Sequence, residues 1–326
     1  MKLKALALAA VLAASGAHAA VDLGNVSGNG SLLATIAYGT STAGGSATFD
    51  LGLSYTDVAG WQSAITAAGG NWSRSWNLST GVMSGTGIAD TVIGNYGTAY
   101  SQFNAATDST AQLAVFAFDG EGSGAGARGM FTTAGTVISA TGAVGANPTA
   151  ATNSILNGLT SNTNLANWYS ALSLAGTHNT DANGANFSTN GQTAFFYNAP
   201  NMERVAQTSA NMFDVSGAYQ GSYAAGTTTL AGKETALPFY LMASSSLTNT
   251  ARANLTALGY DGNGSGAIQG DINGALPMGG TEYGVWTLQG DNLTFSVSAV
   301  PEPESYAMLL AGLGLMGAIA RRRKQA

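Results

Sequence analysis

The sequence predicts a mainly β protein: an antiparallel, β-sandwich-like body with a few short helices, an N-terminal signal peptide and a C-terminal transmembrane helix. Three observations carry this reading. Apolar residues recur in short runs at period two, and Gly, Asn, Asp and Ser break those runs every ten or so residues. Near both ends of the chain an apolar stretch sits beside clustered basic residues. The composition also demands a folded core, since disordered chains combine high charge with few large apolar side chains. Here 9% of the 326 residues are charged, against 28 Phe, Tyr and Trp. With 45 Gly, 6 Pro and no Gly-X-Y period the chain is turn-rich but not collagen-like. The absence of Cys excludes disulfide scaffolds, thiol catalysis, iron–sulfur ligation and cysteine zinc sites.

In chain order, the period-two runs predict strands over residues 32–38, 47–55, 72–78, 112–118, 136–140, 192–197, 238–243, 283–288 and 293–297. The last two flank Gln289-Gly290-Asp291-Asn292, a tight-hairpin sequence. Many short strands without alternating long helices imply an antiparallel sandwich. Two helices interrupt the strands. Val58, Trp61, Ile65 and Ala68 repeat at helical spacing between Asp57, a suitable N-cap, and Gly69-Gly70, a suitable stop. Leu165, Trp168, Leu172 and Ala175 do the same before Gly176. The Asn- and Thr-rich stretch 147–164 is a candidate sub-domain boundary, although no rigid proline linker is present.

Residues 1–19 read as a signal peptide for the Sec export machinery. Lys2 and Lys4 precede an apolar run over 3–14, and Ala17-His18-Ala19 meets the small-x-small rule, predicting cleavage before Ala20. Residues 20–298 form the exported β-rich domain and residues 299–326 a three-part terminal signal. In the latter, Pro301-Glu302-Pro303 comes first; the prolines lack backbone donors and hold the chain extended, open to a processing enzyme. Sixteen uncharged residues, 305–320, follow. As a helix these reach about 24 Å, so a roughly 30 Å hydrocarbon core must thin or be met by snorkelling neighbours. Arg321, Arg322, Arg323 and Lys324 then stop transfer and stay cytoplasmic. Gly312, Gly314 and Gly317 match a dinucleotide-binding spacing, but no strand precedes them and no acid follows. Small residues at Gly314 and Ala318 instead permit close helix–helix approach.

The ordered tripeptide, apolar helix and basic tail resemble the PEP-CTERM sorting signal of Gram-negative bacteria. The resemblance covers roughly the last 26 residues and none of the central body. It implies recognition by exosortase, a membrane-embedded cysteine transpeptidase, with cleavage near Pro301-Glu302-Pro303. It further implies release or attachment at the cell surface, in bacteria that make exopolysaccharide and grow as biofilms or flocs.

Residues 20–300 hold five Lys or Arg against fifteen Asp or Glu, a net charge of −10 hidden by the whole-chain figure of −6. Such a body repels nucleic acid and anionic lipid, and can recruit divalent cations or simply stay soluble.

Candidate chemistry is sparse. His178 is the one imidazole beyond the signal peptide. It lies in a polar loop sequence with no G-x-S-x-G elbow, so a Ser-His-Asp hydrolase and multi-histidine metal sites are disfavoured. Asp119 and Glu121 form a near pair of the type glycosidases use, though a turn explains them equally. Asp119, Glu121 and Ser123 echo Asp261, Asn263 and Ser265 in two D-G-[EN]-G-S-G segments. The alternation resembles the opening of a calcium loop, but Met130 and Ile272 occupy the positions where the bidentate acid belongs. Trp72, Arg74 and Trp76 share one strand face; they either stack on sugar rings, with Arg74 interleaved, or pack into the core. The reading is therefore an exported, noncatalytic surface or matrix protein with exosortase as partner and exopolysaccharide as candidate associate, needing no cofactor unless calcium binds. The alternatives are a surface carbohydrate-binding module and a secreted glycoside hydrolase.

Overall fold

The computed structural model describes residues 28–40, 43–104, 112–119, 129–133, 172, 184–190, 192, 222–223, 230–231, 237–243, 254–260, 267–269, 282–297, 313 and 316. These form strands β1 (Ser31–Thr40), β2 (Ala43–Ser54), β3 (Trp72–Asn77), β4 (Val82–Gly85), β5 (Ile88–Val92), β6 (Gln112–Asp119), β7 (Gly129–Thr133) and β8 (Ala185–Thr189). They continue as β9 (Ser222–Tyr223), β10 (Leu230–Ala231), β11 (Leu237–Ala243), β12 (Asn254–Tyr260), β13 (Ala267–Gln269), β14 (Glu282–Tyr283), β15 (Val285–Gln289) and β16 (Asn292–Val297). Short helices α1 (Tyr55–Ala59), α2 (Trp61–Ala67) and α3 (Gly97–Asn104) complete the set. Leu172 is helical and buried; the rest of the helix expected around it, the strand expected at 136–140 and the 147–164 boundary lie outside the described residues. So does the strand expected at 192–197, apart from Gln192, which is not in a strand. No helix among the described residues is long and apolar enough to cross a membrane. Of the stretch 305–320, only Leu313 and Met316 are described, both helical and exposed.

Fourteen strands join in one sheet along the path β5-β4-β3-β16-β15-β11-β7-β6-β1-β2-β8, with β12, β13 and β14 branching from β11. Every strand pair is antiparallel; the isolated bridge Asn95–Gly184 is parallel. The mainly β, antiparallel expectation with few short helices holds, and fourteen strands of the body join in one continuous sheet. Strand β11 is the corner: Leu237 and Pro238 pair with β15, while Phe239–Ala243 pair with β7. Contact across the fold is direct, since the Trp76 indole Nε1 donates to Leu51 O at 2.9 Å although β3 and β2 stand far apart along the path.

Between the facing halves lies an aromatic cluster. Trp61 of α2 sits 5.0 Å from Phe295, 5.1 Å from Trp72, 6.0 Å from Trp286 and 6.3 Å from both Trp76 and Phe239, between ring centroids. All six rings are buried. On β1 both faces are buried, with Leu32, Ala34 and Ile36 in this core and Leu33, Thr35 and Ala37 on the other side. Period-two alternation is accordingly blurred there.

The helix read between Asp57 and Gly69 is two helices. Ser54, not Asp57, is the N-cap; Asp57 occupies the third helical position, and its carboxylate accepts from the Ser54 amide at 2.8 Å, closing a capping box. At Gly60 the amide is shared between Thr56 O (3.2 Å) and Asp57 O (3.1 Å), which tightens the turn and separates α1 from α2. The stop is as expected: Gly69 and Gly70 take φ of +61° and +84°.

Two glycines make a matched test of packing against backbone conformation. A Cβ on Gly284 would lie 2.1 Å from the Phe295 ring and 3.1 Å from Leu258 O, whereas one on Gly69 meets nothing within 4 Å and bears only its positive φ. Gly284→Ala should lower the unfolding free energy by about 1–3 kcal/mol through overpacking, and Gly69→Ala by roughly 1–2 kcal/mol through its left-handed backbone. Urea titrations should also show a loosened aromatic near-UV signal for Gly284→Ala alone.

Candidate functional site

The chemistry-bearing residues fall into four groups. The first is the face of β3 that carries Trp72, Arg74 and Trp76. β3 pairs with β16 so that Trp76 opposes Leu293, Arg74 opposes Phe295 and Trp72 opposes Val297. That register turns the tryptophans inward: Trp76 is fully buried and Trp72 is 4% exposed. An exposed sugar platform therefore gives way to core packing, because these rings are the filling between the sheet halves. Arg74 is half-buried, with its guanidinium carbon 5.0 Å from the centroid of the Trp72 ring. Its Nε and one terminal nitrogen are buried without a hydrogen-bond partner, and desolvation lowers its pKa.

The second group is the proposed calcium or carboxylate pair. Asp119 ends β6, opposite Gly129, and Gly129 in turn opposes Ala243, which opposes Asn254. Tyr260, the residue before Asp261, is at the other end of β12, about 20 Å away at 3.3 Å per residue. The two segments thus leave the sheet from opposite strand ends. Glu121, Ser123, Asp261, Asn263, Ser265 and His178 lie outside the described residues, and no group of three metal-ligating side chains occurs among the described ones. Asp119 acts on a neighbour instead. Burial first, and the Asp119 charge second, push the Tyr55 hydroxyl up to about 12.

A third group was not anticipated. At the β15–β16 turn, the Asp291 carboxylate accepts from Ser79 Oγ at 2.6 Å, Asn77 Nδ2 at 3.0 Å and Asn292 Nδ2 at 3.0 Å, while its carbonyl accepts from Leu78 N at 2.7 Å. Asn77 Oδ1 accepts from the amides of Ser79 and Thr80. This network fastens the turn after β3 to the hairpin. The hairpin motif was legible, but its partner 212 residues earlier in sequence was not.

The fourth group is the terminal signal. Pro301, Glu302, Pro303, Arg321, Arg322, Arg323 and Lys324 lie outside the described residues. Its root is described: β16 lies between β3 and β15, and Val297, at the strand end, is buried against Trp72. Three residues separate Val297 from Pro301.

A β body that passes directly from a central strand into Pro-Glu-Pro, an uncharged stretch and a basic cluster has the organisation of a protein exported through a membrane-anchored sorting intermediate. Residues 299–324 match the family model of the PEP-CTERM protein-sorting motif, and no other domain is recognised. The motif implies exosortase as processing partner. No curated protein and no solved structure matches the chain.

Two outcomes check these assignments. Trp76→Ala should cost about 3–5 kcal/mol of stability, read by denaturant titration, because it empties a core position. For Tyr55 the sign is set by a folded pKa above the unfolded value: the native state holds the proton more tightly, so stability is full below pH 10 and falls as pH rises through 10 towards 12. Tyr55→Phe should remove that part of the alkaline decline, and Asp119→Asn should lower the Tyr55 pKa in a spectrophotometric titration.

Proposed function

We propose that this chain is a noncatalytic exported protein of the cell surface or extracellular matrix, processed by exosortase near Pro301-Glu302-Pro303 and associated with exopolysaccharide. One observation carries the reading: the matched sorting motif begins two residues after the last core strand, so the body and the signal are adjacent but separate units. The body's charge of −10 suits a hydrated location outside the cell. A single histidine beyond residue 19 and the burial of Trp72 and Trp76 support a structural role over hydrolysis or sugar stacking at β3.

Mass spectrometry of the protein recovered from the surface of its native host provides the test. The mature chain should start at Ala20 and end upstream of Ser305. Replacing Pro301, Glu302 and Pro303 together by Ala should leave the arginine tail in place and hold the protein in the membrane fraction. Surface protein with an intact tail would overturn the proposal.

A further inference from the structure

We infer that the outer edge of β5 pairs with the β5 edge of a second copy of this chain, in an antiparallel two-fold register centred on Thr91, to give a closed dimer. This does not depend on the sorting reading above. β5 ends the path of the large sheet: it pairs with β4 on one side, and among the described residues no strand pairs with it on the other. Ile88, Ala89, Asp90, Thr91 and Val92 are all exposed. Two of them are large apolar side chains, Ile88 at 36% and Val92 at 67% exposure. β8, at the other end of the path, is exposed only at Thr189. A bare edge of this kind is a template for another strand, because its peptide groups have no partner in the sheet.

The sequence of β5 selects the occupant and the register. Ile93 N donates to Gly81 O at 2.9 Å and Thr91 opposes Met83. Thr91 and Ile93 therefore turn their peptide groups towards β4, and by alternation Asp90 and Val92 turn theirs outward. A two-fold axis at Thr91 sets Asp90 of each copy opposite Val92 of the other, so that every outward N–H and C=O of these residues meets its complement. The two Thr91 side chains then stand together as a non-hydrogen-bonded pair, a favourable cross-strand contact with Cβ atoms about 4.5–5.5 Å apart. The other symmetric registers are poorer. An axis at Asp90 puts like charges directly opposite, which is destabilising. An axis at Val92 runs Asp90 against Gly94, beyond the end of the strand. Asp90, the register shift between Met83 and Gly85 and the short length of β5 are the features that guard an edge. Here they narrow the pairing to one register and keep it small. A five-residue strand buries less than the roughly 1,200 Å² of a stable interface, so the dimer is weak and forms where copies are crowded. Isologous pairing occupies the β5 edge of both copies and closes at two.

The absence of native cysteine lets disulfide trapping read the register directly. Thr91→Cys, Val92→Cys and Thr86→Cys, all at exposed positions, are introduced singly into the full chain, purified in detergent micelles and oxidised with copper phenanthroline. Thr91→Cys should become a covalent dimer on non-reducing gels, because a non-hydrogen-bonded antiparallel pair comes close to the roughly 3.5–4.5 Å Cβ separation that a disulfide needs. Thr86→Cys, in the β4–β5 turn, and Val92→Cys, whose counterpart across the axis is Asp90, should stay monomeric. Two second substitutions in the Thr91→Cys chain separate edge pairing from chance collision and from association through the terminal tail. Val92→Asp sets a carboxylate opposite Asp90 of the other copy and should abolish the crosslink, whereas Val92→Lys sets an opposite charge there and should raise the dimer fraction. Equal yields from Thr91→Cys and Thr86→Cys, preferential crosslinking of Val92→Cys, or a yield that neither Val92 substitution changes overturns the inference. So does a ladder of higher oligomers, which a closed pair cannot form.

Discussion

Burial of the six-ring cluster around Trp61 is the constraint on which the rest of the architecture depends. A single antiparallel sheet exposes two faces, and most of one face of this sheet is aromatic or aliphatic. Closing it requires the β3–β16–β15 half to fold over the β1–β2–β6 half, with α2 delivering Trp61 between them. Each large aromatic removes about 150–250 Å² from water, and the offset and edge contacts among the rings add to that burial. The Trp76–Leu51 hydrogen bond fixes where the halves meet, because a buried indole N–H without an acceptor would be costly. Trp286 shows the converse: its Nε1 is buried without a partner, a desolvation cost that the packing must offset.

That constraint also explains what was legible in the sequence. Strands β1, β2, β3, β6, β11 and β16 were expected within a few residues of their observed bounds, because each presents large apolar residues to the core. β4 and β5 were missed for the opposite reason. β5 is exposed along its whole length and β4 is only half-buried, so neither shows an apolar alternation. Their pairing depends on a turn at Thr86–Gly87, where Gly87 takes φ of +75°. β7 was hidden by its Gly- and Thr-rich sequence, its strand character coming from position between β6 and β11 and not from local preference. The run 283–288 was read as one strand and is two, since the Gly284 amide and carbonyl pair with Leu258 O and Phe239 N where the sheet turns its corner.

Candidate sites divided along the same line. A motif read from contiguous residues, such as the terminal signal, needs no tertiary information, and it is the part of the chain that matches a known family model. Sites that depend on which way a strand face turns are undetermined by spacing alone. Trp72, Arg74 and Trp76 alternate with Ser73, Ser75 and Asn77, and period two places the tryptophans together without saying whether water or core lies beneath them. The register with β16 decides it: the face of β3 that meets Leu293 and Phe295 is interior, and Ser75 faces outward to bond Thr294. Asp291 likewise gains its role from Asn77 and Ser79, which only the closed sheet brings to it.

The position of the sorting motif follows from the same packing. β16 supplies Leu293, Phe295 and Val297 to the core and is hydrogen-bonded on both sides, so a cut within it would remove three buried side chains and leave β3 and β15 as open edges. A cut near Pro301-Glu302-Pro303 falls beyond the last of these residues and leaves β16 whole. The spacing is therefore close to the shortest that lets a terminal handle be removed without loss of stability. The fold and the signal meet at Val297, where the requirement for an intact central strand sets the upstream limit of processing.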